Sequence, residues 1–127
     1  MPPLFQQLAA ETAELAGFTG FTPDACLINR YTPGVGMGLH QDRDEQDFSA
    51  PIVSISLGLP VIFLWGGLTR GDKARPIVLH HGDTLIWGGE DRLRFHGVRP
   101  LKPGSAAVGQ HPPLNDARIN LTFRKAG

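Results

Sequence analysis

The sequence predicts a mainly β protein led by one α-helix, and three observations carry that expectation. Sixteen glycines and eleven prolines are scattered between apolar runs rather than gathered in a tract, the punctuation expected of short strands joined by tight turns. The segments between them alternate polar and apolar residues or are rich in β-branched ones, which is the period of an extended chain. Helical spacing shows at the N-terminal end. The length, 127 residues, suits one hydrophobic core and not two, so residues 1–127 read as a single domain.

Taken in order, Leu4, Phe5, Leu8, Thr12 and Leu15 fall at helical spacing, with Pro2 and Pro3 before them and Gly17 after, which predicts an amphipathic helix over 3–16 packed against the sheet. Thr22-Pro23-Asp24 is a turn. Ala25 to Tyr31 reads as a strand with Leu27, Asn29 and Tyr31 on one face, fitting either a polar pocket wall or an exposed edge. Pro33, Gly34, Gly36 and Gly38 make a turn and then a glycine-relieved strand, a place where backbone or ligand comes close. Arg43 to Asp47 is an acidic loop.

Pro51 to Gly58 is a β-branched strand, with Ile52, Ser54 and Ser56 on one face and Val53, Ile55 and Leu57 on the other. Pro60 breaks it. Val61 to Trp65 resumes as a short strand and Gly66-Gly67 turns. Ile77 to Trp87 reads as two strands around a His81-Gly82-Asp83 corner, with His80 and His81 pointing apart in structural roles. A further strand, Leu93 to Val98, carries His96, and the proline-rich stretch from Pro100 to Asp116 is a loop outside the core. In the last strand, Arg118 to Arg124, the apolar Ile119, Leu121 and Phe123 face the core. By pattern alone, the opposite face of Arg118, Asn120, Thr122 and Arg124 meets solvent.

Twelve acidic and twelve basic residues balance, which argues against a protein whose main business is non-specific adhesion to nucleic acid. Arg92, Arg94, Arg99 and Lys102 nevertheless gather around His96. Arg70, Lys73 and Arg75 crowd the loop before Pro76 and read as ordinary solvated charge. The lone Cys26 cannot form an internal disulfide, and the sequence shows neither a signal-peptide pattern nor an apolar run near the roughly 20 residues that span a bilayer. The expected compartment is the cytoplasm.

The candidate chemistry lies at His40-Gln41-Asp42. A histidine and a carboxylate two apart on an extended chain project together, and His96 is the best third ligand. Two histidines and one carboxylate hold an iron(II) ion from one side and leave its other face open for a co-substrate and O2. Taken alone, the His-x-Asp pair equally fits a solvated strand end with a structural histidine. Once the metal set is granted, a guanidinium on the polar face of the last strand could anchor a dicarboxylate co-substrate in bidentate fashion.

Cys26-Leu-Ile-Asn-Arg-Tyr31, Leu39-His-Gln-Asp42 followed by Asp44-Glu45, Ala50-Pro-Ile-Val-Ser-Ile-Ser-Leu-Gly-Leu-Pro60, His81-Gly-Asp83, Trp87-Gly-Gly-Glu90, His96-Gly97 and Arg118-x-Asn-Leu-Thr-Phe-Arg124 agree in order and spacing with the catalytic core of one family. Over about residues 22–127 the chain resembles the AlkB family of iron(II)- and 2-oxoglutarate-dependent dioxygenases. The resemblance implies a double-stranded β-helix, a cupin-like jelly roll. It implies iron on His40, Asp42 and His96, and 2-oxoglutarate held by Arg118 with Asn29, Tyr31, Asn120 and Arg124. Trp87 would stand close to the metal and Asp44 would face the damaged base.

The implied reaction consumes O2 and 2-oxoglutarate, releases succinate and CO2, and hydroxylates the alkyl group of a base in DNA or RNA, single-stranded, so that a methyl group leaves as formaldehyde. No membrane and no obligate protein partner are implied. The family's nucleotide-recognition lid, which supplies an aromatic partner for the flipped base, is expected to be missing ahead of the helix. That expectation leaves the iron and 2-oxoglutarate sites intact and keeps two alternatives open: an oxygenase of a small molecule or free nucleoside, and a lid-less, non-catalytic jelly-roll module.

Overall fold

In the computed structural model, residues 1–32, 34–43, 48–100 and 117–125 are described. A helix, α1 (Pro3–Leu15), precedes the strands β1 (Ala25–Tyr31), β2 (Met37–His40), β3 (Ile52–Gly58), β4 (Val61–Trp65), β5 (Arg75–Leu79), β6 (Thr84–Trp87), β7 (His96–Val98) and β8 (Arg118–Arg124), with a short 3-10 turn at Gly89–Asp91. The strands form two four-stranded antiparallel sheets, ordered β1-β8-β3-β6 and β2-β7-β4-β5. Mainly β with one N-terminal helix is what the sequence predicted, and the two sheets make a jelly roll.

Consecutive strands β3 and β4, and again β5 and β6, lie in different sheets, so the chain crosses from one layer to the other at each break. The first crossing follows Gly58, whose φ of +90° is a left-handed value that glycine adopts without strain. At the second, the His81-Gly82-Asp83 corner docks on the end of β3. Gly82 N–H donates to the Ser56 carbonyl at 2.7 Å, Ser56 N–H to the Asp83 carbonyl at 2.9 Å, and Gly58 N–H to His81 Nδ1 at 2.8 Å. His81 is thereby structural, as expected.

Two apolar clusters follow from strand alternation. Tyr31, Ile52, Leu59, Val61, Phe63, Leu79, Trp87 and Val98 fill the space between the sheets. Val53, Ile55, Leu121 and Phe123 turn the other way and pack under α1 with Phe21. Each such buried side chain stabilises the fold by about 1.5–3 kcal/mol relative to exposure.

Two local expectations need correction. The buried stripe of α1 is Phe5, Ala9 and Ala13, whereas Leu4 and Leu15 are 71% and 90% exposed. Alanine at the contact lets the helix axis come close to the sheet, and the Phe5 ring then meets Phe123 edge-on at 6.1 Å. The strand expected over Leu93 to Val98 starts only at His96, because Arg92 and Arg94 N–H groups bond back to Gly89 and Asp91 in successive turns. No described helix is long and apolar enough to cross a membrane.

Candidate active site

His40 closes β2 and pairs directly with His96, which opens β7, so the two side chains leave the sheet on the same face. Between Met37 and His40 the register slips: β2 spans one residue more than the Val98-to-His96 stretch it faces. Such a bulge re-aims the following side chain. Gly97 permits the close approach, since a Cβ there would lie 2.7 Å from the Met37 carbonyl oxygen. Asp42 is not on the strand but two residues beyond it, and its carboxylate is nonetheless buried.

The imidazole centroids are 4.4 Å apart. Asp42 Oδ2 lies 3.4 Å from His96 Nε2, and Oδ1 lies 3.9 Å from His40 Nε2 and 3.3 Å from Arg124 Nη2. Ligand atoms of His40, Asp42 and His96 all fall within 4.8 Å of one another. Each ring has its Nδ1 against a main-chain carbonyl, His40 on Gly38 at 2.9 Å and His96 on Arg94 at 3.1 Å. A carbonyl can only accept, so Nδ1 is the donor in each ring and Nε2 is the nitrogen turned toward Asp42. Three ligand atoms converging in a buried niche form a set that one cation can bridge. Burial pushes the Asp42 carboxyl up, but its hydrogen bond to His96 and the charges of His96, Arg124 and His40 outweigh this and hold it below the usual carboxylate value.

These groups line a cavity of about 270 Å³ between the sheets. Its opposite wall is the polar face of β8, and the solvent expectation for that face is overturned. Arg118 is 2% exposed, and Asn120 and Thr122 are also buried. Thr122 Oγ1 donates to Asn120 Oδ1 at 2.6 Å, and the Asn120 amide donates to Ser54 Oγ at 2.7 Å and to the Ile55 carbonyl at 3.2 Å. Asn120 therefore commits both amide protons within the wall. Asn29 stands directly across from it on β1. Arg118 donates from Nη2 to Ser56 Oγ at 3.0 Å and lies 5.3 Å from the Tyr31 ring, yet its buried Nε has no hydrogen-bond partner and no carboxylate pairs with it among the described residues. Burial draws the guanidinium pKa down, against a smaller upward pull from Tyr31. Trp87 lies 5.0 Å from the His96 ring, and its buried Nε1 also lacks a partner.

The structure thus brings His40, Asp42, His96, Asn29, Tyr31, Trp87, Arg118, Asn120 and Arg124 to one cavity. Asp44 lies outside the described residues. Sequence reasoning missed Ser54, Ser56 and Phe63 as pocket neighbours and Arg92 as a buried group; the alternation of β3 had put both serines on the inner face without showing what they meet.

A family model described as the 2OG-Fe(II) oxygenase superfamily matches residues 1–124. The chain belongs to that superfamily. Among oxygenase relatives, it is 55% identical over 127 residues to the alpha-ketoglutarate-dependent dioxygenase AlkB of Escherichia coli (strain K12), covering 100% of this chain and 56% of that protein. It is 43% identical over 109 residues to the DNA N(6)-methyladenine demethylase ALKBH1D of Arabidopsis thaliana, covering 81% of this chain and 25% of that one. The solved structure of OsALKBH1 superposes with a TM-score of 0.86 at 36% identity, over 98% of this chain and 65% of that chain. The chain is an AlkB-type oxygenase core and spans about half the length of its E. coli relative. The superfamily's metal is iron(II) and its co-substrate 2-oxoglutarate. The residues here fit both, with three converging acceptors for the cation and a buried guanidinium without an acid partner for a carboxylate.

Proposed function

We propose that residues 1–127 act as one iron(II)- and 2-oxoglutarate-dependent oxygenase domain that removes alkyl groups from bases of single-stranded DNA or RNA. The observation that carries the reading is the pairing of two unmet needs across one cavity, acceptors wanting a cation on one wall and Arg118 wanting an anion on the other. His40 and His96 would hold the metal through Nε2, oriented by their Nδ1 bonds, with Asp42 as the third ligand. Arg118 would take the far carboxylate of 2-oxoglutarate in a charge-assisted fork, with Tyr31 and Asn29 beside it and Arg124 reaching between Asp42 and the bound acid.

Asn120, its amide protons already committed, would set the wall rather than hold the ligand. Iron(II) bound there supplies oxidation of the alkyl carbon by O2 coupled to conversion of 2-oxoglutarate to succinate and CO2, and a hydroxylated N-methyl group then leaves as formaldehyde. Trp87 and Phe63 exclude water beside His96. Asp44 would face the base.

The nucleic-acid substrate rests on the name of one relative, the DNA N(6)-methyladenine demethylase of Arabidopsis thaliana. A single strand follows from the need to bring the base out of a stack, which costs a few kcal/mol in duplex. The lone Cys26 fits a reducing cytoplasm.

Succinate release from 2-oxoglutarate, measured with and without a methylated oligonucleotide, tests the reading. Stimulation by the oligonucleotide with formaldehyde formation is expected. Turnover indifferent to it would assign a small-molecule substrate, and no turnover with iron under reducing conditions would leave a binding module. His40→Ala should abolish the signal; full residual activity would refute the metal assignment. An unchanged 2-oxoglutarate requirement in Arg118→Ala would refute the anchor.

A further inference from the structure

Asp42 stands past the last ladder pair of β2 and β7, so sheet pairing does not set the backbone that carries its carboxylate. Two side chains take over at that point. The Gln41 amide donates to the Leu93 carbonyl at 2.8 Å, and Arg92 Nη1 reaches back to the carbonyl of Asp42 itself at 2.8 Å. The two segments are laced in both directions, each side chain bonding to the other segment's main chain. Arg92 Nε also donates to the Ala50 carbonyl at 3.0 Å, and the Phe48 ring lies 5.6 Å from the guanidinium. A guanidinium that is 2% exposed is therefore fastened to the main chain on both sides of residues 43–49.

We propose that Arg92, assisted by Gln41, is a positioning residue for the metal site: it holds the Asp42 main chain in the orientation that turns the carboxylate toward His40 and His96. The inference rests on the metal reading above. Its physical basis is a lever. The carboxylate sits two bonds out from Cα, and a working ligand set tolerates about 0.5 Å of error, so a small rotation of the Asp42 backbone is enough to spoil it. A planar, forked donor can bridge two fixed carbonyls at once, whereas the compact lysine ammonium cannot reproduce that geometry. Burying such a charge is costly unless its bonds are made, and here the main chain makes them.

The experiment is a titration of the whole chain with Mn(II), following free ion by electron paramagnetic resonance, so no turnover is needed. Wild type, Arg92→Lys, Gln41→Leu and Phe5→Ala are compared at a temperature where circular dichroism shows each folded. Phe5→Ala serves as a destabilised control far from the metal. Arg92→Lys should bind Mn(II) about 10- to 100-fold more weakly than wild type, the size of effect seen when groups behind a metal ligand are lost. Gln41→Leu should show a smaller loss and Phe5→Ala none.

Affinity within twofold of wild type in Arg92→Lys, or an equal loss in Phe5→Ala, would overturn the proposal. If Arg92→Lys does not fold, unchanged affinity in Gln41→Leu overturns it instead. Failure of wild type itself to bind Mn(II) would strike the metal reading rather than this refinement of it.

Discussion

On one face of β8, Ile119, Leu121 and Phe123 pack under the helix against Val53 and Ile55, while on the other Arg118, Asn120 and Thr122 are buried just as fully between the sheets. The first face is closed by apolar neighbours. The second is closed by hydroxyls and amides that bond along the wall, and it still leaves a guanidinium nitrogen without a partner. Burial and hydrophobicity part company there. A face that buries charge without completing its hydrogen bonds gives up stability in the free protein, and that is expected where a ligand completes the set.

Substitutions can push this contrast to breaking. Phe123→Ala, on the dry face, should cost about 3–5 kcal/mol of unfolding free energy in chemical denaturation, through a cavity the helix cannot collapse to fill. Arg118→Met, on the wet face, should leave the ligand-free stability within about 1 kcal/mol of wild type or raise it, since it removes a buried charge that no carboxylate among the described residues offsets. The same change should weaken 2-oxoglutarate binding by about 2–5 kcal/mol, read by tryptophan fluorescence titration. A large loss of ligand-free stability in Arg118→Met would erase the distinction between the faces.

Smaller effects sharpen it. Ala13→Leu overpacks the helix contact and should cost about 1–3 kcal/mol, whereas Leu15→Gln should stay within about 0.5 kcal/mol in the same denaturation assay. Asp42 offers a signed test. Its folded pKa is lowered, so its contribution to stability is complete above the unfolded value of about 3.9 and is lost as pH falls through the lower folded value. The difference in unfolding free energy between wild type and Asp42→Asn should be present at about pH 5 and close as pH falls below about pH 4. A difference that grew on acidification would reverse the sign assigned here.

Much of the fold was legible because proline and glycine mark the strand ends. Ala25 to Tyr31, Val61 to Trp65 and Arg118 to Arg124 are strands with the bounds the sequence indicated. The helix was legible too, but not its buried face. Leucine spacing pointed to Leu4, Leu8 and Leu15, and what decides the contact is how near the sheet comes, a tertiary fact that favours Ala9 and Ala13. Spacing alone left His40 and Asp42 a weak pair. Their meeting with His96 depends on a bulge in β2 and on turns before β7 that no local pattern announces. Arg92 read only as one of several basic residues gathered around His96, and it is among the more deeply buried polar groups described. A lone sequence carries no mark of that difference.

His40 and His96 belong to one sheet and Arg118 to the other, so the cation end and the anion end of the cavity ride on separate layers. Packed sheets keep a spacing of about 10 Å that side chains adjust only slightly. On the proposed assignment, the gap then works as a ruler. A diacid one carbon shorter could satisfy either end but not both together, and selection by length becomes a property of the scaffold rather than of any single contact.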